Sequence, residues 1–251
     1  DYIAYLKLND NPANSLSSEM MRAIQAELTE IDTNPSIRVV VFESANEKIF
    51  CSGHSLTEVK GMMNDKNVQA QEKLFAQCSM MMKQIQKISK PAIAKVRGVA
   101  TAAGNQLVAS CDLAYGSEDS RYALPGANIG LFCHTPQVAV SRTIGRKATM
   151  EMLLSGEMID AAKAEKIGLI NKVISSADLD SEVEKVCETI NQKSAEVIAQ
   201  GKRSFYRQIE MGLTDAYAVT SQNMVKNLEL NDANEGISSF LENRKPEWTN
   251  D

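Results

Sequence analysis

Three short segments of the sequence combine turn glycines, small side chains and the chain's two histidines. They are Phe50-Cys51-Ser52-Gly53-His54-Ser55-Leu56, the run from Gly98 to Leu107 (Gly-Val-Ala-Thr-Ala-Ala-Gly-Asn-Gln-Leu), and the run from Pro125 to Pro136. In the second, tiny side chains at the opening of a helix let a ligand approach bare N–H groups, where the helix dipole favours developing negative charge. One N–H from the first segment and one from the second would make an oxyanion hole for a thioester enolate. The same small residues would equally permit close helix–sheet packing, and spacing alone leaves both readings open. A nucleotide cradle is excluded, because Gly98–Gly104 lacks the Gly-Lys-Ser/Thr ending of a phosphate loop and no Gly-x-Gly-x-x-Gly occurs.

His54 and His134 both fall in these segments. An imidazole titrates near neutrality, so His134 is a candidate base, with a packed or solvent-exposed loop histidine as the alternative. Cys51, His54, Cys133 and His134 together invite a zinc reading. Cys133 and His134 are adjacent, which makes joint inward ligation awkward, and no metal site is expected. Cys133 has no identifiable activating partner beyond its neighbour, which argues against a nucleophile.

The elements that must position these segments are legible from periodicity. Asp1 to Ala4 begins a strand that continues in weak alternation to Leu8, and residues 38–42 are a β-branched run expected as a buried strand. Between them Met20, Met21, Ile24, Leu28 and Ile31 recur at helical spacing, with Ser17 as N-cap and Glu19 in the first turn. A helix is expected over 68–88, with Leu74, Cys78, Met81, Ile85 and Ile88 on one stripe. Pro91 ends it and 93–96 is a strand. Asp160 caps a helix ending at Gly168, residues 169–174 form a strand, and 177–242 are helical. Met62, Met63 and Met80 to Met82 read as core more readily than as an adaptable pocket wall.

The chain has 251 residues, 43% hydrophobic and 24% charged, enough to bury a core in one α/β unit with a helical appendage. No apolar run is long enough to span a bilayer. A net charge of −5 argues against a nucleic-acid surface. Five cysteines, an odd number without a Cys-x-x-Cys pair, point to reduced thiols. With a strand at its start, the chain is read as lacking a leader. The expected compartment is the cytoplasm, or the mitochondrial matrix if a transit segment has been trimmed.

The segments also resemble a known family. Cys51 to Leu56 is similar to the first oxyanion loop of the crotonase (enoyl-CoA hydratase/isomerase) superfamily, written C-[AS]-G-x-D-L. Lys90-Pro91-Ala92-Ile93-Ala94-Lys95-Val96-Arg97-Gly98, the small-residue run and Ser110-Cys111-Asp112 resemble its K-P-x-I-A-x-V-x-G…G-G-G-x-x-L…C-D signature. Leu154-Ser155-Gly156, Ala161, Ala164 and Gly168-Leu169-Ile170 resemble a downstream element. The Ala-Thr-Ala-Ala-Gly run, Gly-Leu-Phe-Cys and the closing Arg-Lys-Pro-x-Trp look most like the enoyl-CoA hydratase domain-containing proteins, particularly the group of the third mammalian member.

The resemblance implies a spiral of ββα units forming two sheets, over residues 1–189, and a helical oligomerisation region over 190–251 that packs across subunits in a homotrimer or homohexamer. It makes the N–H groups of His54 and Ala103 the oxyanion-hole donors. It places Gln106 and Gly126 where the hydratases carry their two catalytic glutamates. An amide and a glycine cannot relay a proton, and each positioned acid or base contributes about 10²–10⁴ in rate, so conventional hydration is expected to be weak or absent. Restoring glutamate at both positions is expected to bring hydration back if only these groups are missing. His134 lies near where some superfamily isomerases place an acid. Lys48, Ser52, His54, Phe240 and Lys245 are the implied contacts to CoA, although Asn243 stands where the family has a lysine. The implied ligand is an acyl-CoA thioester, as substrate or cargo, with no metal or redox cofactor. The implied activities are hydration, isomerisation or thioester hydrolysis within fatty-acid metabolism, or acyl-CoA binding without catalysis.

Overall fold

The computed structural model describes residues 2–10 and 12–250. Asp1, read as the head of the first strand, and Asp251, the end of the C-terminal region, lie outside the described residues. Among those described, nine strands form two sheets. The larger has the order β1 (Ile3–Leu8), β2 (Val39–Ser44), β4 (Ala92–Val96), β6 (Leu113–Ser117) and β9 (Lys172–Ile174), all parallel. The smaller has the order β3 (Ile49–Cys51), β5 (Val99–Thr101), β7 (Arg121–Ala123) and β8 (Ile159–Asp160), with only the β7–β8 pair antiparallel. The pairs β2–β3, β4–β5 and β6–β7 each put one strand in each sheet, which generates the spiral.

The apolar run in β2 is continuous because both faces of the larger sheet are covered. Val40 and Phe42 join the main core, whereas Val39 and Val41 pack with Leu179, Val183 and Cys187 of α8 (Leu179–Asn191). α1 (Ser18–Thr33) starts where its cap predicts, with Ser17 Oγ accepting from the Met20 N–H at 3.1 Å. α2 (Leu56–Asn64) follows the loop that carries Gly53 and His54, and α3 (Val68–Lys87) buries Leu74, Cys78, Met81, Met82 and Ile85. The second glycine-rich segment is not helical from its start: β5 comes first, and α4 (Ala103–Ser110) begins after it. Residues 169–174 are strand only from Lys172, because the Leu169 N–H turns back to the Ala164 carbonyl and extends the exit from α7 (Ala161–Lys166).

α5 (Pro136–Thr143) and α6 (Arg146–Ser155) back the third segment. The chain closes with α9 (Ala195–Gln208), α10 (Leu213–Leu228) and α11 (Asn231–Leu241). The division read at 189/190 falls in the last turn of α8. α10 and α11 leave Leu213, Tyr217, Met224, Leu228, Phe240 and Leu241 exposed.

α9 is fastened to the core by a buried ion pair. Lys202 Nζ lies 2.7 Å from Asp112 Oδ2 and donates to the carbonyls of Ile85 and Lys90 at 2.9 and 2.8 Å. Asp112 also accepts from the Ala92 N–H and the Tyr206 hydroxyl, at 2.7 and 2.8 Å.

Candidate functional site

The first two segments meet backbone to backbone. Gly53 adopts φ 94°, and a β-carbon there would stand 2.9 Å from Ala102 Cβ and 3.1 Å from the Ala103 nitrogen. Only a glycine lets the loop before α2 come this close to the start of α4. Ala102 is held at φ 50°, ψ −118°, a conformation L-residues rarely adopt, and its N–H is pinned to the Ala123 carbonyl at 3.0 Å. The consequence is that the Ala103 N–H opens α4 beside the His54 backbone. Among the described residues neither the His54 nor the Ala103 N–H is donated within the chain.

Both residues line a cavity of about 780 Å³. Ser52, Leu56, Val59, Phe75 and Ala102 complete one side, and residues of the 125–136 segment, including Gly126, Phe132, Cys133 and His134, form the other. The wall is largely apolar, and among the described residues no Asp, Glu, Lys or Arg side chain contributes to it. The titratable groups on it are His54, Cys133 and His134. Burial pushes the Cys133 thiol above its ordinary range, so it is held as the thiol.

His54 is anchored. Its Nδ1 lies 3.3 Å from the Leu16 carbonyl oxygen, and because a carbonyl only accepts, Nδ1 carries the hydrogen. Nε2 is then a buried acceptor without a hydrogen-bond partner among the described residues. The Phe75 ring meets the imidazole edge-on at 5.3 Å between centroids. Burial lowers the His54 pKa, opposed by the Leu16 carbonyl and by Glu58. Above the ordinary imidazole value near 6.5 the ring is neutral in folded and unfolded chains alike. As pH falls below that value the unfolded chain takes the proton first, so stability drops until the folded ring also protonates. Urea unfolding between pH 7 and pH 5 should therefore show a loss of stability that His54→Gln flattens. One proton limits the slope to about 1.4 kcal/mol per pH unit. Equal slopes in both proteins would exclude this origin.

The other residues named from the sequence are dispersed. Gln106 is buried and faces Cys78, its Oε1 4.0 Å from that sulfur, and it does not line the cavity. Gly126 lines the cavity, but its position is filled by backbone. Leu131 donates its N–H to the Gly126 carbonyl at 3.0 Å, and a β-carbon on Gly126 would stand 2.7 Å from the Leu131 oxygen and 3.0 Å from Cys133 Sγ. This corrects the expectation that glutamate can simply be restored there. His134 is exposed at the cavity wall with its ring 5.3 Å from that of Phe132.

Ser52 lines the cavity, whereas Lys48, Phe240 and Lys245 do not. Lys48 and Lys245 are exposed, and Phe240 borders a separate groove with Trp248, Gly236 and Leu228. Cys51 is fully buried behind the loop, its pKa pushed up to about 12 by desolvation. Met81 and Met82 are core, and none of the five methionines considered for a pocket wall reaches this cavity. Phe75 and Val59 were not legible as site residues: Phe75 lies off the apolar stripe of α3, and the close approach of α2 and α3 to the cavity has no local sequence signal.

Two sheets wound from alternating strands, with a strained helix start opening onto a largely apolar cavity, define a spiral α/β protein. The profile of the family described as enoyl-CoA hydratase/isomerase matches residues 1–251. Enoyl-CoA hydratase domain-containing protein 3, mitochondrial, from Xenopus laevis is 43% identical over 96% of this chain and 81% of its own length. The Homo sapiens protein of that name is 40% identical over 97% and 79%. Among solved structures, a Mycobacterium smegmatis enoyl-CoA hydratase superposes with a TM-score of 0.94 at 44% identity, covering 98% of this chain and 95% of that one. The human domain-containing protein 3 gives 0.94 at 40%, covering 99% and 97%. The chain belongs to the enoyl-CoA hydratase/isomerase (crotonase) family, and its likeness to the domain-containing protein 3 group matches the expectation from its motifs.

Proposed function

We propose that this chain binds fatty acyl-CoA thioesters and polarises the thioester carbonyl without acting as a conventional hydratase. The observation that carries the reading is the pair of N–H groups, His54 and Ala103, undonated among the described residues, on an apolar wall to which no described carboxylate contributes. Such donors stabilise an enolate oxygen but do not move a proton to or from carbon. Gln106 and Gly126 occupy the positions of the family's glutamates, and neither offers an acid or base. Lys48, Ser52 and His54, with Phe240 and Lys245 from the C-terminal helical region (190–251), are assigned to CoA. The exposed apolar rows of α10 and α11 are assigned to contacts between copies in a trimer or hexamer. The reading invokes no metal or redox cofactor. Relatives bearing the name mitochondrial support the mitochondrial matrix over the cytoplasm.

A second reading, isomerisation or thioester hydrolysis with His134 as base, is favoured by the presence of His134 on the cavity wall. Calorimetric titration with crotonyl-CoA and a longer 2-enoyl-CoA, with the enoyl absorbance followed in the same samples, tests both. The expected result is binding that tightens about fourfold per added methylene, the equivalent of about 0.8 kcal/mol, with no loss of absorbance. Turnover by wild type that disappears in His134→Ala would establish the second reading. Absence of binding would overturn the acyl-CoA assignment.

A further inference from the structure

Away from the acyl cavity, Arg38 and Lys90 precede the adjacent strands β2 and β4. They line a pocket of about 180 Å³ whose far wall is the start of α9, including Ala195, Glu196 and Ile198. Both cations are half-buried, and desolvation lowers the pKa of each, opposed at Arg38 by Asp232 and at Lys90 by Asp32, while the Arg38 charge disfavours that of Lys90. Neither forms an ion pair among the described residues. Arg38 Nη2 donates to the Lys193 carbonyl, which fixes the guanidinium but neutralises nothing.

Asp232 favours the Arg38 charge and Asp32 the Lys90 charge, but among the described residues no carboxylate reaches ion-pair distance of either cation. Asp32 accepts from the Ser89 N–H and hydroxyl at 2.7 and 2.6 Å. Glu196, on the pocket wall, is paired with Arg203 at 2.9 Å. Asp232 accepts from the Thr249 N–H and hydroxyl and from the Asn250 N–H. Two like charges drawn together in a partly desolvated pocket repel unless an anion lies between them. The positive end of the 14-residue helix α9 adds to the same field.

We propose that this pocket binds a phosphate-type oxyanion through Arg38 and Lys90. Its volume accommodates a tetrahedral anion with some water, at about 30 Å³ per water. Two full positive charges and a helix dipole match a dianion better than a carboxylate. The guanidinium presents a planar fork of donors suited to phosphate oxygens.

The test is the line broadening of the phosphorus resonance of inorganic phosphate on addition of the full chain. It is run with crotonyl-CoA at saturation, so that CoA-contacting residues are occupied, and repeated with glycerol 3-phosphate, while acetate, which carries no phosphorus, is added at matched ionic strength as a competitor for inorganic phosphate. Binding of inorganic phosphate at millimolar concentration, with acetate much weaker, is expected. Binding of glycerol 3-phosphate alone would also support the pocket and assign it to phosphomonoesters. Arg38→Gln and Lys90→Gln should each weaken binding about tenfold, the cost of one charge-assisted hydrogen bond. Glu196→Gln should tighten it severalfold, a gain that damage to the fold cannot mimic. No binding of either phosphate, equal binding of acetate, or wild-type affinity in both glutamine variants would overturn the proposal.

Discussion

The double variant Gln106→Glu/Gly126→Glu is expected to melt well below the wild type and to show no gain in hydration of crotonyl-CoA. The reason is the backbone around Gly126. A β-carbon there meets the Leu131 carbonyl oxygen at 2.7 Å and Cys133 Sγ at 3.0 Å, so a side chain must displace the 126–133 segment before its carboxylate can be placed. Overpacking of this kind costs about 1–3 kcal/mol. At about 2–4 °C per kcal/mol for a chain of this size, the melting temperature should fall by roughly 2–12 °C. Gly126→Ala, which adds only the β-carbon, should account for much of that loss. Gln106 brings a second obstacle, since its side chain faces Cys78 rather than the cavity, and a carboxylate there would be desolvated beside a thiol. Calorimetric melting together with the enoyl absorbance assay measures both halves. Unchanged melting would show that the segment yields easily, and hydration gained by the double variant would show that the two carboxylates are sufficient for the reaction.

Asp112→Ala should be still more damaging, by about 3–5 kcal/mol, the usual cost of stranding one member of a buried ion pair. The Lys202 side chain is 6% exposed and the Asp112 side chain 18%, so water cannot replace the lost partner freely. The Ala92 N–H and the Tyr206 hydroxyl would lose their acceptor as well. Lys202→Met combined with Asp112→Asn should cost less than the sum of the single changes, because it removes the stranded charge. Urea unfolding of the four proteins gives the coupling directly. Additive losses would mean that α9 is held by packing and not by this pair.

How far the sequence could be read depended on whether a signal was local. The α1 cap at Ser17 and the apolar stripe of α3 are written in consecutive residues, and both are found where the spacing puts them. The strands β3, β5 and β7 have three residues each, too few for any period to emerge, so the second sheet was legible only through family resemblance. In the site, the 50–56 and 98–107 segments were legible from their glycines and small residues. The closing of Leu131 over Gly126 was not, because the glycines mark a turn there without saying which backbone groups it brings together. The inward turn of Gln106 likewise depends on α3 lying behind α4, a tertiary fact. Asp112 was visible as a motif residue, but its partner Lys202 lies 90 positions away and carries no signature.

The 125–136 segment contributes most of the cavity wall, yet it is tied to itself by the bonds from Leu131 to Gly126 and from Gly130 to Ala127. The N–H pair, by contrast, belongs to the sheet ends and to α4. On the proposed reading, recognition of an acyl tail and polarisation of its carbonyl would be housed in separable parts. One loop can drift in sequence, or be transplanted between relatives, and change which tail is accepted while the electrostatic centre is inherited intact. A scaffold divided this way can change clientele, or retire from catalysis altogether, without having to refold.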